Sequence, residues 1–167
     1  SLSFGLMDFV SAHRGAIPQS AMGVRSPGGQ FEHPLVLRAK LEIAAACHAA
    51  GKVPSHCVVT EFKHVTALQE AATIACRRLG YTRMWSIHPN QILPIIAAMQ
   101  PDFSEVEEAA AILCAAQDNA WGPIRHQGRL HDRASYRYYW ELLQRARNTG
   151  MELPGETRQR FFTGAGH

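Results

Sequence analysis

A short apolar run decides the fold: residues 2–7 read LSFGLM and stop at Asp8. A run of this length that ends at a single polar residue is typical of a buried parallel strand. Two later runs have the same form. The sequence therefore predicts three strands, near residues 2–7, 56–62 and 82–87.

Helical periodicity fills the segments between these strands. From Pro34 to Ala50 apolar residues recur at helical spacing, with Pro34 suited to the first turn and Gly51 to the end. A second amphipathic pattern runs to Leu79 and is closed by Gly80. The alternation of strands and helices predicts right-handed crossover units and a parallel sheet whose strands are neighbours in chain order.

The rest of the chain is predicted to contain helices joined by loops. Three helices are expected after the third strand, over residues 91–99, 104–117 and 132–147. The second is expected to open with a capping box, in which Ser104 is the cap and Glu107 lies three residues on. Three other segments, residues 11–32, 121–128 and 150–167, are predicted to be a loop, a break and a tail.

Composition and charge exclude several classes of protein. Apolar residues make up 46% and charged residues 19%, which fits a globular protein and not a disordered one. The net charge of +3 is mildly basic, and the arginines of the second half form either a solvated surface or one that attracts an anionic ligand. No aromatic-and-basic motif of a nucleic-acid-binding module occurs, so we expect no nucleic-acid partner.

The sequence also indicates a cellular compartment. No apolar run approaches the ~20 residues of a membrane span and no signal peptide pattern opens the chain, so we expect no membrane partner. The four cysteines lack metal-ligand spacing. We expect them to be reduced, with Cys47, Cys76 and Cys114 in the core, which favours the cytoplasm.

Polar residues follow each predicted strand, where functional groups gather in parallel α/β proteins. These residues are Asp8, Glu61 and His88. Each also has a structural interpretation: Asp8 as a cap for nearby amides, Glu61 as a solvated acid, and His88 as a side chain held by backbone hydrogen bonds beside Pro89. Spacing alone supports no metal site.

Three segments resemble a known family. Residues 4–8, FGLMD, are similar to the FGxxD segment of the citrate lyase beta subunit family, within the HpcH/HpaI aldolase superfamily. Residues 86–92, SIHPNQI, resemble its IHPxQI segment and follow a G(F/Y)xxxW-like lead. Residues 128–132, GRLHD, resemble its later G-(K/R)-x-I-D segment. The correspondence covers the chain to about Arg147, in the family's order and spacing.

The resemblance implies a fold that is larger than three strands. The chain would supply the sixth, seventh and eighth strands of a TIM-type (β/α)8 barrel, followed by C-terminal lid helices. Residues 1–120 would then hold the later βα units, and residues 121–167 the lid helix and the tail. The family is usually assembled as trimers or multiples of them, so a homotrimer or hexamer is expected.

The start of the chain carries an expectation of its own. The sequence begins at Ser1 without a methionine, one residue before a predicted buried strand, so we expect that a segment precedes it. Taken alone, residues 1–167 are expected to associate through unpaired strand edges and to be inactive.

The resemblance also implies a metal and substrate site. Asp8 matches one of two carboxylates that hold Mg²⁺, and the second carboxylate, like a substrate-binding arginine, would precede Ser1. Gly5, Leu6 and Met7 match a turn whose backbone amides face the substrate carboxylate. A glycine suits such a turn because it lets a ligand approach the backbone.

Two further segments are implied to take part. His88 and Pro89 match a segment near the coenzyme A site. Asp132 matches an acid carried on the lid, often contributed by a neighbouring subunit, and its structural alternative is to cap the last helix. His64 and His131 depart from the residue types common in the family, and so does the loop over residues 13–32.

The implied activity is that of a Mg²⁺-dependent carbon–carbon lyase acting on a 3-hydroxyacyl-CoA thioester of the malyl-CoA, citramalyl-CoA or citryl type. Retro-aldol or Claisen-type chemistry would release a small 2-keto acid, with Asp132 as the acid. Some relatives also hydrolyse the thioester. Two alternatives stay open: an aldolase that acts on free 2-keto or hydroxy acids without coenzyme A, and a catalytically silent subunit of a lyase complex.

Overall fold

The computed structural model describes residues 1–60 and 64–163. Within these residues no helix combines the length and apolar character needed to cross a membrane. The chain forms two compact units, residues 1–99 and residues 100–167. The first is a layered α/β unit, and the second consists of helices and one hairpin.

The first unit is built on a parallel sheet. Its strands are β1 (Leu2–Ser3), β2 (Pro54–His56) and β3 (Arg83–Met84), hydrogen-bonded in the order β1-β2-β3. Leu2 pairs with Pro54 and Ser55 with Arg83, both in parallel register. The predicted parallel pairing and strand order are confirmed. β1 and β3 are shorter than predicted, and β2 lies before the predicted segment and shares only His56 with it.

The first predicted strand extends too far. After Ser3 the chain turns into helix α1 (Leu6–Ala12), with Gly5 as its N-cap. Leu6 and Val10 are both buried, one helical turn apart. A short apolar run fits a strand or a helix face equally well, and here the helix is formed. Asp8 therefore lies in the first turn of α1 and not at the end of a strand.

The longer helices of this unit agree with the prediction. They are α2 (Pro34–Ala49), α3 (Val65–Leu79) and α4 (Ile92–Met99). Gly80 ends α3 with φ of 76°, a left-handed conformation that glycine adopts without strain. The loop before α2 contains a short 3-10 helix at Gln19–Met22, and another at Pro89–Gln91 precedes α4. The core lies between these helices and the sheet, where α3 contributes a stripe of buried alanines.

The second unit consists of α5 (Phe103–Asp118), α6 (Arg133–Asn148), α7 (Gly155–Phe162) and the antiparallel hairpin of β4 (Ile124–His126) and β5 (Arg129–His131). The hairpin occupies the predicted break, and α7 lies in the predicted tail, so both predictions are wrong at those positions. The hairpin turn has positive φ at Gln127 (46°) and Gly128 (78°), as tight hairpins require. The sequence does not predict the hairpin because Gln-Gly is a weaker signal for such a turn than Asn-Gly. It does not predict α7 because this helix is short.

The capping box of α5 is also shifted from the prediction. Asp102 is the N-cap, and its backbone N–H donates to Glu105 Oε2 at 2.9 Å. The predicted pair, Ser104 with Glu107, lies two residues later, inside the helix. Both pairs have the same spacing, so the sequence pattern alone does not choose between them.

The three-stranded sheet confirms the α/β class. That it belongs to an eight-stranded barrel stays a prediction. The same holds for the division of the chain into barrel units over residues 1–120 and a lid over residues 121–167.

The core of the second unit provides a stability test. Leu143 is fully buried against Ile112 and Leu113, so Leu143→Ala leaves a cavity. We expect it to lower the free energy of unfolding by about 2–5 kcal/mol, measured by urea denaturation. Leu130→Ala is the matched control, because Leu130 is 73% exposed and should change stability by less than about 0.5 kcal/mol. Equal losses in both variants would contradict the described packing.

Candidate active site

A cavity of about 220 Å³ lies where the three parallel strands end. Its walls come from residues 4–8 after β1, residues 57–60 after β2 and Trp85 after β3. Met22 and Gln30, from the loop before α2, also line it. The structure thus brings four predicted site residues, Gly5 to Asp8, into one cavity at the expected edge of the sheet.

The segment from Gly5 to Asp8 forms the first turn of α1. The first N–H groups of any α-helix have no acceptor within that helix, and in α1 they belong to Leu6, Met7 and Asp8. A Cβ at Gly5 would lie 2.9 Å from Asp8 Oδ2. The Asp8 carboxylate folds back over Gly5, so a larger residue at this position would displace the carboxylate.

Asp8 fits a hard cation as one ligand of a larger set. It is exposed, and it is the only carboxylate among the described residues that line the cavity. Throughout the described ranges no group of three or more His, Cys, Asp or Glu side chains could hold a metal. Mg²⁺ typically takes one or two carboxylates together with water and substrate oxygens, so one carboxylate is a fitting but partial donor set. Glu61 lies outside the described residues.

His88 and Pro89 are not among the residues that line the cavity. His88 is the N-cap of the 3-10 helix that begins at Pro89, and its Nδ1 accepts a hydrogen bond from the Asn90 backbone N–H at 3.2 Å. Both residues are exposed. The structure therefore shows the backbone-capping interpretation of His88, and a contact with coenzyme A stays a prediction.

Asp132 belongs to the second unit, where it caps α6. Its Oδ1 accepts from the Ala134 backbone N–H at 2.9 Å, and its own N–H donates to Ser135 Oγ at 3.1 Å. The cap interpretation is confirmed. Its carboxylate is exposed, and its role as a catalytic acid stays a prediction.

A buried lysine lies behind the cavity wall. The Lys40 side chain has no exposed surface, and its Nζ donates to Gln30 Oε1 at 2.6 Å and to His56 Nε2 at 2.8 Å. Nζ also lies 4.2 Å from the centroid of the Phe31 ring. No carboxylate of the described residues contacts it, so neutral groups surround the charge.

Burial determines the protonation states of Lys40, His56 and Cys57. The pKa of Lys40 falls from its ordinary value of 10.5 to about 8, because burial disfavours the ammonium. Burial, followed by the Lys40 charge, holds the pKa of His56 well below its usual range. His56 is thus neutral, with Nε2 accepting from Lys40 and Nδ1–H donating to the Cys57 carbonyl at 3.1 Å. Burial also raises the pKa of the Cys57 thiol, which stays protonated.

A comparison with solved structures finds neighbours among citrate lyase (CitE-like) proteins. A citrate lyase from Burkholderia xenovorans LB400 is 59% identical, with a TM-score of 0.76, over 96% of this chain and 49% of that one. Over nearly its whole length the chain is thus similar to about half of a citrate lyase (CitE-like) protein. The family resemblance is therefore confirmed.

A second solved structure is more distant. CitE from Mycobacterium tuberculosis, in complex with magnesium, acetoacetate and coenzyme A, is 23% identical with a TM-score of 0.65, over 86% of this chain and 51% of that one. This likeness supports the fold. The CitE-like chain spans about half the length of either neighbour. No protein-family model matches the sequence, and none of the curated proteins matches it significantly.

Sequence reasoning missed the buried group behind the cavity of this CitE-like chain. A signal was present in α2, where Val36, Lys40, Ala44 and Cys47 recur at helical spacing and are all buried. A lysine on such an apolar stripe indicates a buried cation. Its partners could not be identified in the same way, because Gln30 and His56 lie on other elements.

The depressed lysine pKa makes stability depend on pH. Between pH 8 and 9 the folded state loses the Lys40 proton while the unfolded state keeps it, so the free energy of unfolding should rise with pH. We expect a rise of about 1 kcal/mol, measured by urea unfolding at both pH values. The raised pKa of Cys57 acts in the opposite direction and offsets part of this rise, and at higher pH the raised pKa of Tyr81 opposes it as well. Lys40→Met should remove the rise, and an equal rise in that variant would contradict the assignment.

Proposed function

We propose that the protein is a magnesium-dependent carbon–carbon lyase that acts on a coenzyme A thioester of the malyl-CoA, citramalyl-CoA or citryl type. The observation that carries this proposal is the placement of the Asp8 carboxylate and the first-turn amides of α1 in one cavity. The 59% identity to a citrate lyase supports the reaction class. The distant CitE structure, which holds magnesium, acetoacetate and coenzyme A, supports the ligands.

Asp8 is the proposed metal ligand on this chain, and a second carboxylate is expected from outside it. When bound, Mg²⁺ supplies positive charge that lowers the cost of negative charge on the oxygens of the keto fragment. The backbone N–H groups of Leu6 and Met7, which follow Gly5, are proposed to donate to the carboxylate of that fragment. Phe4, Val59 and Trp85 give the remainder of the cavity apolar walls.

Cleavage breaks the bond between the carbon next to the thioester and the carbon that carries the hydroxyl group. The hydroxyl proton passes to water acting as the base, the oxygen becomes the carbonyl oxygen of the released keto acid, and the bonding electrons pass to the thioester fragment as an enolate. An acid must then protonate the enolate carbon. We propose Asp132 for this step.

The remaining parts of the proposal concern coenzyme A and assembly. The exposed turn at His88 and Pro89 is proposed to contact coenzyme A, as the family resemblance implies. A trimer or hexamer is proposed, in which Asp132 of one subunit serves the site of a neighbour. The whole would form the eight-stranded barrel of a cytoplasmic enzyme.

The metal role of Asp8 is tested by Asp8→Asn in the protein at its natural length. Neutralising this carboxylate should weaken Mg²⁺ binding at least tenfold and abolish cleavage of malyl-CoA, while the circular dichroism spectrum stays unchanged. Asp118→Asn is the matched control, since Asp118 forms an ion pair with Arg160 in the second unit and should leave turnover unchanged. Wild-type turnover by Asp8→Asn would reject the metal role. If the protein instead cleaved free hydroxy acids and had no affinity for coenzyme A, the aldolase alternative would be favoured.

A pair of variants separates the two roles of Asp132. Asparagine caps a helix as well as aspartate does but cannot donate an acidic proton. Asp132→Asn should keep the free energy of unfolding within about 0.5 kcal/mol of wild type and lower kcat at least a hundredfold. Asp132→Ala should lose the same activity and about 1 kcal/mol of stability as well. If Asp132→Asn retains full activity, the residue is a cap and nothing more.

A further inference from the structure

Gln30 joins the loop before α2 to the buried group behind the cavity. Its side chain is 1% exposed and lines the cavity. Oε1 accepts from Lys40 Nζ at 2.6 Å and from the Cys57 thiol at 3.4 Å. Nε2 donates to the Met22 carbonyl at 3.0 Å. The amide thus has partners on three different segments.

These partners fix the direction of the Gln30 amide. A lysine ammonium can only donate and a backbone carbonyl can only accept. Rotating the amide by half a turn would set its NH2 group against the Lys40 ammonium and its oxygen against the Met22 carbonyl, which removes both hydrogen bonds. Oε1 therefore stays on the side of Lys40.

The partners of Gln30 leave one of its amide hydrogens available to a ligand. The amide oxygen has two lone pairs, and Lys40 and Cys57 occupy both. The amide nitrogen has two hydrogens, and Met22 takes one. Among residues 1–60 and 64–163 the second hydrogen has no acceptor. A buried donor of this kind is costly unless a partner completes it, and Gln30 lines a cavity that admits a small molecule.

We propose that Gln30 is a substrate-binding residue whose remaining N–H donates to a ketone or carboxylate oxygen of the bound keto acid, and that Lys40 is the positioning residue that holds the amide in this direction. The inference rests on the proposed function, since it takes the cavity to be the keto-acid site. It adds a specificity element: an oxygen that accepts hydrogen bonds is favoured at this wall, and a hydroxyl that must donate finds no free acceptor on Gln30.

The test measures acetoacetate binding by calorimetry with Mg²⁺ present, in the protein at its natural length. Gln30→Met keeps the length of the side chain and removes the donor, so the dissociation constant should rise at least tenfold. The affinities for Mg²⁺ alone and for coenzyme A should stay within twofold. Gln30→Glu should weaken acetoacetate binding at least as much, because it presents an oxygen in place of the N–H.

A double-mutant cycle tests whether Lys40 acts through Gln30. Lys40→Met should weaken acetoacetate binding severalfold when Gln30 is present and have no further effect in the Gln30→Met background. Additive effects in the double variant would overturn the positioning role. In the steady state both single variants should raise KM for the keto acid in the condensation direction more than they lower kcat.

Gln91→Met is the matched control. Gln91 is another buried amide, which donates to the Val59 carbonyl at 2.8 Å and accepts from the Ile87 N–H at 3.0 Å, and it does not line the cavity. Its acetoacetate affinity should stay within twofold of wild type. An equal loss in Gln91→Met, or wild-type affinity in Gln30→Met, would overturn the inference. Acetoacetate binding without lyase activity would overturn the proposed function alone, and no binding by the wild type would overturn both.

Discussion

A lysine ammonium buried among neutral groups is the constraint on which the first unit depends. An uncompensated charge inside a protein is costly, so each N–H direction of Lys40 must meet an electron-rich partner. The partners are Gln30, His56 and the ring of Phe31, and the rings of Phe31 and His56 are stacked with centroids 5.6 Å apart. Gln30 and Phe31 belong to the loop before α2, and His56 is the last residue of β2. The Lys40 ammonium on α2 therefore contacts both that loop and the sheet. The same contact makes Nε2 the acceptor of His56.

The position of Asp8 depends on backbone geometry. Only Phe4 and Gly5 separate β1 from α1, so the first turn of the helix follows directly on the sheet edge. An acidic residue in the first turn is favoured by the positive end of the helix, and the lack of a Cβ at Gly5 leaves room for the Asp8 carboxylate. Strand end, glycine and helix start together place a carboxylate and backbone donors side by side.

The sequence predicts the parts of the fold that rest on local periodicity. The order and direction of the three strands and the extents of α2 and α3 follow from apolar spacing and from Pro34 and Gly80. The errors arise where two local solutions are equally good. Residues 4–8 fit a strand or a helix, and the pairs Asp102–Glu105 and Ser104–Glu107 fit the same capping box, so packing against the rest of the unit decides.

The candidate site likewise has one part that the sequence predicts and one part that it does not. Asp8 was predictable because it ends an apolar run, whereas the direction of the Gln30 amide depends on Lys40, ten residues on, and on Cys57 beyond it. Contacts between residues so far apart in the sequence leave no local sequence pattern. The described residues of the cavity wall thus offer hydrogen-bond donors and a single carboxylate, and this combination suits an oxygen-rich anion held together with a cation. A hydroxyl donor would find no free acceptor on Gln30, so under the proposed function this wall would favour a keto acid over a ligand that must donate at this point.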